Sequence, residues 1–197
     1  MYYFLLKNIF NSYLIKIFLQ VILAIHWFTR HLTEYYSKNK KNCLDIGCGK
    51  RPYHQFFQCK YIGLDLPENL AVKVGGGITN PDIYAIGKFA PFKDNSFDLI
   101  TCYSVVPYEK DIDKFFSEIF RILQPKGVAV IIIMNLKGLS LHPYTIYPTR
   151  YNSSQLHKKL NEHNFKSIKF KNPKVMFWSK YFDLTSVYAY AIVSPKK

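Results

Sequence analysis

The chain has 197 residues, 49% hydrophobic and 20% charged, which excludes a disordered polymer and leaves room for one domain with a sizeable core rather than two. Its net charge of +14 is unevenly placed: residues 42–134 carry ten basic and ten acidic residues, residues 1–41 six basic against one acidic, and residues 135–197 eleven against two. Basic flanks on a neutral centre suit an anionic partner (a membrane surface, nucleic acid or a phosphate-bearing substrate) or a plainly solvated lysine-rich surface.

The first element in chain order is the apolar stretch before His31. Lys7, Asn8, Asn11, Ser12, Lys16 and Gln20 fall about one helical turn apart and form a single polar stripe, and nearly everything else up to Phe28 is apolar. Only 13 residues separate Lys16 from Arg30, short of the roughly 20 that a span requires, and no small-residue cleavage site follows. Residues 1–30 therefore read as a hydrophobic, amphipathic helical segment ahead of a domain over 31–197. Residues 1–28 fit a helix lying in an anionic membrane interface, which would put a cytoplasmic protein at the inner face of the membrane, or equally a helix packed on the fold or on a second subunit. The sequence leaves the oligomeric state open.

After residue 42 short apolar runs alternate with helical patterns. Strands are expected at Cys43–Ile46, Tyr61–Leu64, Ile83–Ile86, Phe97–Cys102 and Val128–Met134, the last a β-branched run suited to burial on both faces. A helix is expected over Arg51–Gln58, and the turn-rich "VGGGITNP" over Val74–Pro81 reads as a loop. Ile112, Phe115, Phe116, Ile119, Ile122 and Leu123 recur at helical spacing, and "QPKG" ends that helix. A further helix over Ser153–Asn164 precedes two late strands, Phe165–Phe170 and Ser186–Val193. The pattern predicts an α/β, Rossmann-like fold: a mostly parallel seven-stranded sheet with helices on both faces and an antiparallel C-terminal strand pair. Asp98 at a strand start, and Asp111 and Asp113 at a helix N-terminus, read as structural acids. Cys43, Cys48, Cys59 and Cys102 form no C-x-x-C pair, so no metal site is expected and the thiols read as free in a reducing compartment.

The loop "GCGKRPY" follows the first strand, where open α/β sheets bind ligands. Gly47 and Gly49 allow a tight turn and close backbone approach. Asp65 ends the second strand, 16 residues after Gly49, placed to accept from both hydroxyls of a ribose. A dinucleotide fits poorly, because the third glycine gives way to Arg51-Pro52 and Asp45 puts a carboxylate where a pyrophosphate would sit. A nucleoside joined to a zwitterionic amino acid fits, and S-adenosylmethionine is such a ligand.

Together "LDIGCGKRPY", "YIGLDL", "APFKDNSFDLITC" and "EIFRILQPKGVAVIII" resemble the class I S-adenosylmethionine-dependent methyltransferases, in particular the type 11 group in its G-C-G-x-x-P-Y variant. The resemblance runs from about Thr33 to the C-terminus and includes "RYNSSQLHKKLNEHNFKSIKF". It implies that residues after the glycines open a short helix with Pro52 in its first turn. It also implies that Gly47, Cys48 and Gly49 underlie the methionine part of the cofactor, that Asp45 orients the ammonium directly or through water, and that Asp65 with Leu66 holds the ribose. Cys102 and Tyr103 would flank the methionine and sulfonium. Two departures stand out. Where the family often has an acid against the adenine amino group this chain has Ile86, followed by Gly87 and Lys88, and the L-E-H-like triplet after the fourth strand is Val106-Pro107-Tyr108. Tyr108 and His142 are thus the candidate catalytic groups, and Tyr144 and Arg150, in the long loop after the fifth strand, the candidate acceptor contacts. The function expected is methyl transfer to a small-molecule or lipid-linked glycan-type acceptor. The alternatives are an RNA methyltransferase, suggested by the basic flanks, and a catalytically silent relative acting as a binding protein or scaffold.

Overall fold

The computed structural model describes residues 23, 26–73, 77–134, 153–171 and 188–195. His142, Tyr144, Arg150 and most of the apolar N-terminal stretch lie outside them. The elements are helix α1 (residues 26–37), β1 (Asn42–Ile46), β2 (Lys60–Asp65), α2 (Glu68–Lys73), β3 (Ile83–Tyr84), β4 (Phe97–Tyr103), α3 (Ile112–Ile122), β5 (Leu123–Met134), α4 (Ser153–Glu162), β6 (Phe165–Lys171) and β7 (Tyr188–Pro195).

Strand order in the sheet is β3-β2-β1-β4-β5-β7-β6. The first five strands are parallel, and β7 runs antiparallel to both β5 and β6. The α/β Rossmann-like expectation holds. Successive side chains alternate across the sheet, and the two faces carry different helices. Leu44, Ile46, Ile100, Cys102, Ile131 and Ile133 face α3 and α4, whose Phe115, Phe116, Ile119, Leu156 and Leu160 are fully buried against them. Cys43, Leu99, Val130 and Ile132 face the other way, toward Leu32, Phe28 and Tyr36 of α1. α1 runs straight through residue 30, and its buried residues Thr29, Leu32, Thr33 and Ser37 lie on one side of it.

Local chemistry fixes the ends of these elements. Asp98 accepts from the backbone N–H groups of Lys41 (2.7 Å) and Asn42 (2.9 Å), tying the start of β1 to the start of β4, which is the structural role expected of it. Asp111 caps α3 by accepting from the Lys114 N–H at 3.2 Å. Arg121 clamps the β3–β4 connection through Asp94 and the carbonyls of Phe92 and Ala90.

Four local expectations give way. No helix follows the glycine loop: only a 3-10 turn, His54–Phe56, forms. Arg51 takes φ +58°, and a residue before proline is sterically kept from the right-handed helical region, so a helix over Arg51–Gln58 cannot propagate from it. Conversely α2 forms where none was expected, its first turn closed on the carbonyl of Pro67 by the Leu70 and Ala71 N–H groups, both 2.9 Å. β3 ends at Tyr84, which leaves Ile86 beyond the strand. β5 begins at Leu123 rather than Val128: Leu123 pairs with Phe97 and Val128 with Leu99, so "QPKG" is a bulge inside the ladder, with Lys126 at φ +62°.

Candidate functional site

Strand order reverses between β1 and β4, and the loops leaving their C-terminal ends frame a cleft of about 630 Å³. That lies within the roughly 300–1,000 Å³ of small-ligand sites. Its wall includes Gly47, Gly49, Asp65, Leu66, Ile86, Gly87, Tyr103 and Tyr108, so eight of the residues anticipated from the sequence converge on one space.

The glycine loop is held from several sides. Gly47 N–H donates to the Leu64 carbonyl at 2.7 Å, and the Asn80 N–H donates to the Gly49 carbonyl at 2.9 Å. Asp65 accepts from Gly49 N–H at 2.7 Å with one oxygen and from Leu66 N–H at 2.6 Å with the other. Each carboxylate oxygen thus retains acceptor capacity toward the cleft. Arg51 pairs with Asp82 at 2.6 Å, and the second Asp82 oxygen accepts from Gly63 N–H at 2.8 Å, so the basic residue that interrupts the glycines anchors the loop to the neighbouring strand connection.

The two glycines do different work. Gly47 has φ +72°, and a Cβ there would run into Val105 Cγ2, on the loop after β4. Gly49 has φ +54°, and a Cβ there would meet nothing within 4 Å: it would project into open space. A side chain at 49 would occupy the space a ligand needs, which is the cradle an S-adenosylmethionine backbone contact requires.

Asp45, Cys48 and Cys102 do not line the cleft. Asp45 is 4% exposed beneath the loop, on the α1 side of the sheet, where it accepts from Thr101 Oγ1 at 2.6 Å and Tyr61 OH at 3.1 Å. Burial pushes its carboxyl up to about 7, against the lowering effect of those two hydrogen bonds, with the Asp65 charge adding to the rise. Gly63 makes this contact possible, because a Cβ there would stand 2.9 Å from both the Tyr61 hydroxyl and Cys48 Sγ. Burial likewise raises the thiols of Cys48, to about 12, and Cys102, so neither is a nucleophile. Cys102 sits in the sheet core facing α3 because the alternation of β4 turns its neighbour Tyr103, not Cys102, toward the α1 side.

Tyr103 is bonded to α1: its hydroxyl and Thr33 Oγ1 are 2.9 Å apart, and Thr33 in turn donates to the Thr29 carbonyl. Tyr53, the tyrosine of "RPY", packs edge-on against Tyr103 with ring centres 5.6 Å apart and bonds His26 Nδ1 at 2.9 Å. Tyr108 lies on a 3-10 turn, Val106–Tyr108, beside Glu109, which accepts from Lys88 Nζ at 3.1 Å and from Asp111 N–H at 2.9 Å. The far rim is apolar, with Leu70, Ile78 and Ile86 on it, and Ile86 is 42% exposed. Val105, Glu109, Lys110, Leu70 and Ile78 were not anticipated from the sequence. Thr101 had a signal, a hydroxyl inside a buried strand that must find a partner.

Among the described residues no group of side chains could hold a metal ion, and the four cysteines are free. No helix among them is long and apolar enough to cross a membrane.

Comparison with known proteins fits this geometry. The family pattern described as a type 11 methyltransferase domain matches residues 44–131, from β1 to the middle of β5. The norajmaline N-methyltransferase of Rauvolfia serpentina is 30% identical over 57% of this chain and 42% of its own length. A sterol 24-C-methyltransferase of Schizosaccharomyces pombe is 31% identical over 43% of this chain and 25% of its own. The crystal structure of an S-adenosylmethionine-dependent methyltransferase from Thermotoga maritima superposes with a TM-score of 0.65 at 15% identity, over 92% of this chain and 96% of the other. Residues 44–131 are thus similar to the methyltransferase-domain family, and the fold is that of a solved S-adenosylmethionine-dependent methyltransferase. The chain spans less than half the length of the curated relatives just described.

Proposed function

We propose that the protein transfers a methyl group from S-adenosylmethionine to a small-molecule or lipid-linked, glycan-type acceptor. The observation that carries this reading is the convergence of Gly47, Gly49 and Asp65 on a cleft into which Gly49 offers only backbone. The cofactor supplies an activated methyl on a sulfonium. Asp65 would accept from the ribose hydroxyls with its remaining lone pairs. Asp45 lies one layer below the loop, so its charge would favour the ammonium through the loop or a water rather than by direct contact. Leu66, Ile78 and Ile86 would enclose the adenine with apolar surface, and the backbone of Gly87 and Lys88 would meet its edge.

Tyr103 and Tyr108 flank the acceptor side of the cleft, where holding donor and acceptor in line is the main catalytic contribution. Lys88 and Glu109 neutralise one another there and Lys110 also lines the wall, so it suits an uncharged or anionic acceptor group. The relatives named for norajmaline and for a sterol support a small organic acceptor. Titration calorimetry of the full chain with S-adenosylmethionine tests the reading: saturable binding is expected. Absence of binding by folded protein would leave the silent scaffold as the better account.

A further inference from the structure

α1 has two unlike sides. Its inner side is sealed by Leu32 and by the hydrogen bonds of Thr33 to Tyr103 and of His26 to Tyr53. On its outer side Trp27 is 61% and Tyr35 73% exposed, about two turns apart, and Leu23, ahead of the helix, is 67% exposed. The acid on this side, Glu34, is paired with Arg30 at 2.9 Å, and Arg30 also lies over the Phe56 ring, so the outer side carries no unneutralised negative charge. The Trp27 indole packs at a tilt against His31, with ring centres 4.0 Å apart, and remains exposed.

From this we infer that the outer side of α1 docks on an anionic lipid bilayer. Charge selects that occupant. Residues 1–41 carry six basic groups against one acid, and the chain leading into α1 is apolar apart from its single polar stripe. Tryptophan and tyrosine beside basic residues are the side chains that settle at a lipid–water boundary. The same helix contacts the cleft through Tyr103, so docking would set the acceptor side of the cleft close to the bilayer. That consequence, an acceptor delivered from lipid, rests on the methyltransferase reading; the docking itself does not.

Trp27 reports its own environment, because the only other tryptophan is Trp178. In full-length Trp178→Phe protein, vesicles of phosphatidylcholine with phosphatidylglycerol should shift Trp27 emission to shorter wavelength and carry the protein up in flotation. Vesicles of phosphatidylcholine alone should bind more weakly, and added salt should weaken binding to the anionic ones. Leu23→Ser with Tyr35→Ser should reduce vesicle affinity roughly tenfold or more, as removal of two interfacial apolar side chains predicts. If Trp178→Phe does not fold, quenching by brominated lipid in wild type against Trp27→Phe gives the same readout. Flotation without a Trp27 response, equal affinity for neutral vesicles, no flotation, or a blue shift that follows protein concentration without vesicles (a second copy covering the helix) would each overturn the inference. Calorimetry with S-adenosylmethionine on the same samples is independent: its failure would sink the methyltransferase reading and leave the vesicle result standing.

Discussion

The two ends of the cleft are built on opposite plans. Around the glycine loop hydrogen bonds and close contacts from other parts of the chain fix the space: Gly47 against Val105, Gly49 against Asp65, and Asp45 between Thr101 and Tyr61. At the far rim Leu70, Ile78 and Ile86 are half open to solvent, with apolar surface in place of directional bonds. The loop end is rigid and chemically specific, and the rim is adaptable. Substitutions at the first end should be costly and those at the second mild.

The largest effect is expected from Gly47→Val. Both the positive φ and the collision with Val105 oppose any side chain there, so S-adenosylmethionine binding should fall below detection in a protein that retains its helical circular dichroism. Adding Val105→Ala would relieve the collision but not the strain, and only partial recovery is expected. Full affinity in the single variant would show that the loop does not hold the cofactor.

Next is Asp45. Burial raises its folded carboxyl to about 7, above the roughly 4 of an unfolded chain. The sign follows: the protonated carboxyl favours the folded state, this contribution is complete below about pH 4, and it is lost as pH rises through about 7. The loss is at most about 4 kcal/mol. Asp45→Asn cannot ionise, so in urea unfolding without cofactor its stability relative to wild type should improve as pH rises over that window. Parallel curves for the two proteins would mean that Asp45 is already ionised when folded.

Asp65→Ala comes third. Loss of hydrogen bonds to a charged acceptor should weaken S-adenosylmethionine binding by about 1.5–3 kcal/mol in calorimetry. Because Asp65 also holds Gly49 N–H, Asp65→Asn should recover part of the loss through its remaining carbonyl oxygen. Unchanged affinity in a folded Asp65→Ala protein would remove the ribose role.

How well each end could be read from sequence follows from what holds it. The strand–glycine–strand–acid spacing was legible because it reflects backbone geometry, and α3 because its apolar positions repeat over eleven residues. The six residues of α2 are too few for periodicity to register, although Pro67 and Glu68 were a start signal in view. The helix expected after "GCG" was wrong because Arg51 adopts a left-handed conformation that composition does not announce. Asp45 was recognised as a charge near the ligand, but its partner Thr101 is 56 residues away. That pair becomes visible only when β1 and β4 are set in register, Asp45 opposite Thr101. Val105 was missed for the same reason: what Gly47 avoids is a residue brought by the topology, not by the loop's own sequence.

The smallest effect tests the rim. Where the family resemblance implies an acid against the adenine amino group, this chain has Ile86, exposed enough that a carboxylate there would stay hydrated and cost the fold little. If adenine lies against this position, Ile86→Asp supplies an acceptor for its amino group. The gain in S-adenosylmethionine affinity should be about 0.5–1.5 kcal/mol, the net value of one hydrogen bond. Part of that gain is offset by lost apolar contact, and Ile86→Ala, which loses the contact without adding an acceptor, measures that part. If both variants bind more weakly than wild type, apolar enclosure outweighs directional bonding at this rim. The adenine would then be held by Leu66, Ile78 and Ile86 as a surface, and the departure from the family's acid would be a working alternative rather than a loss.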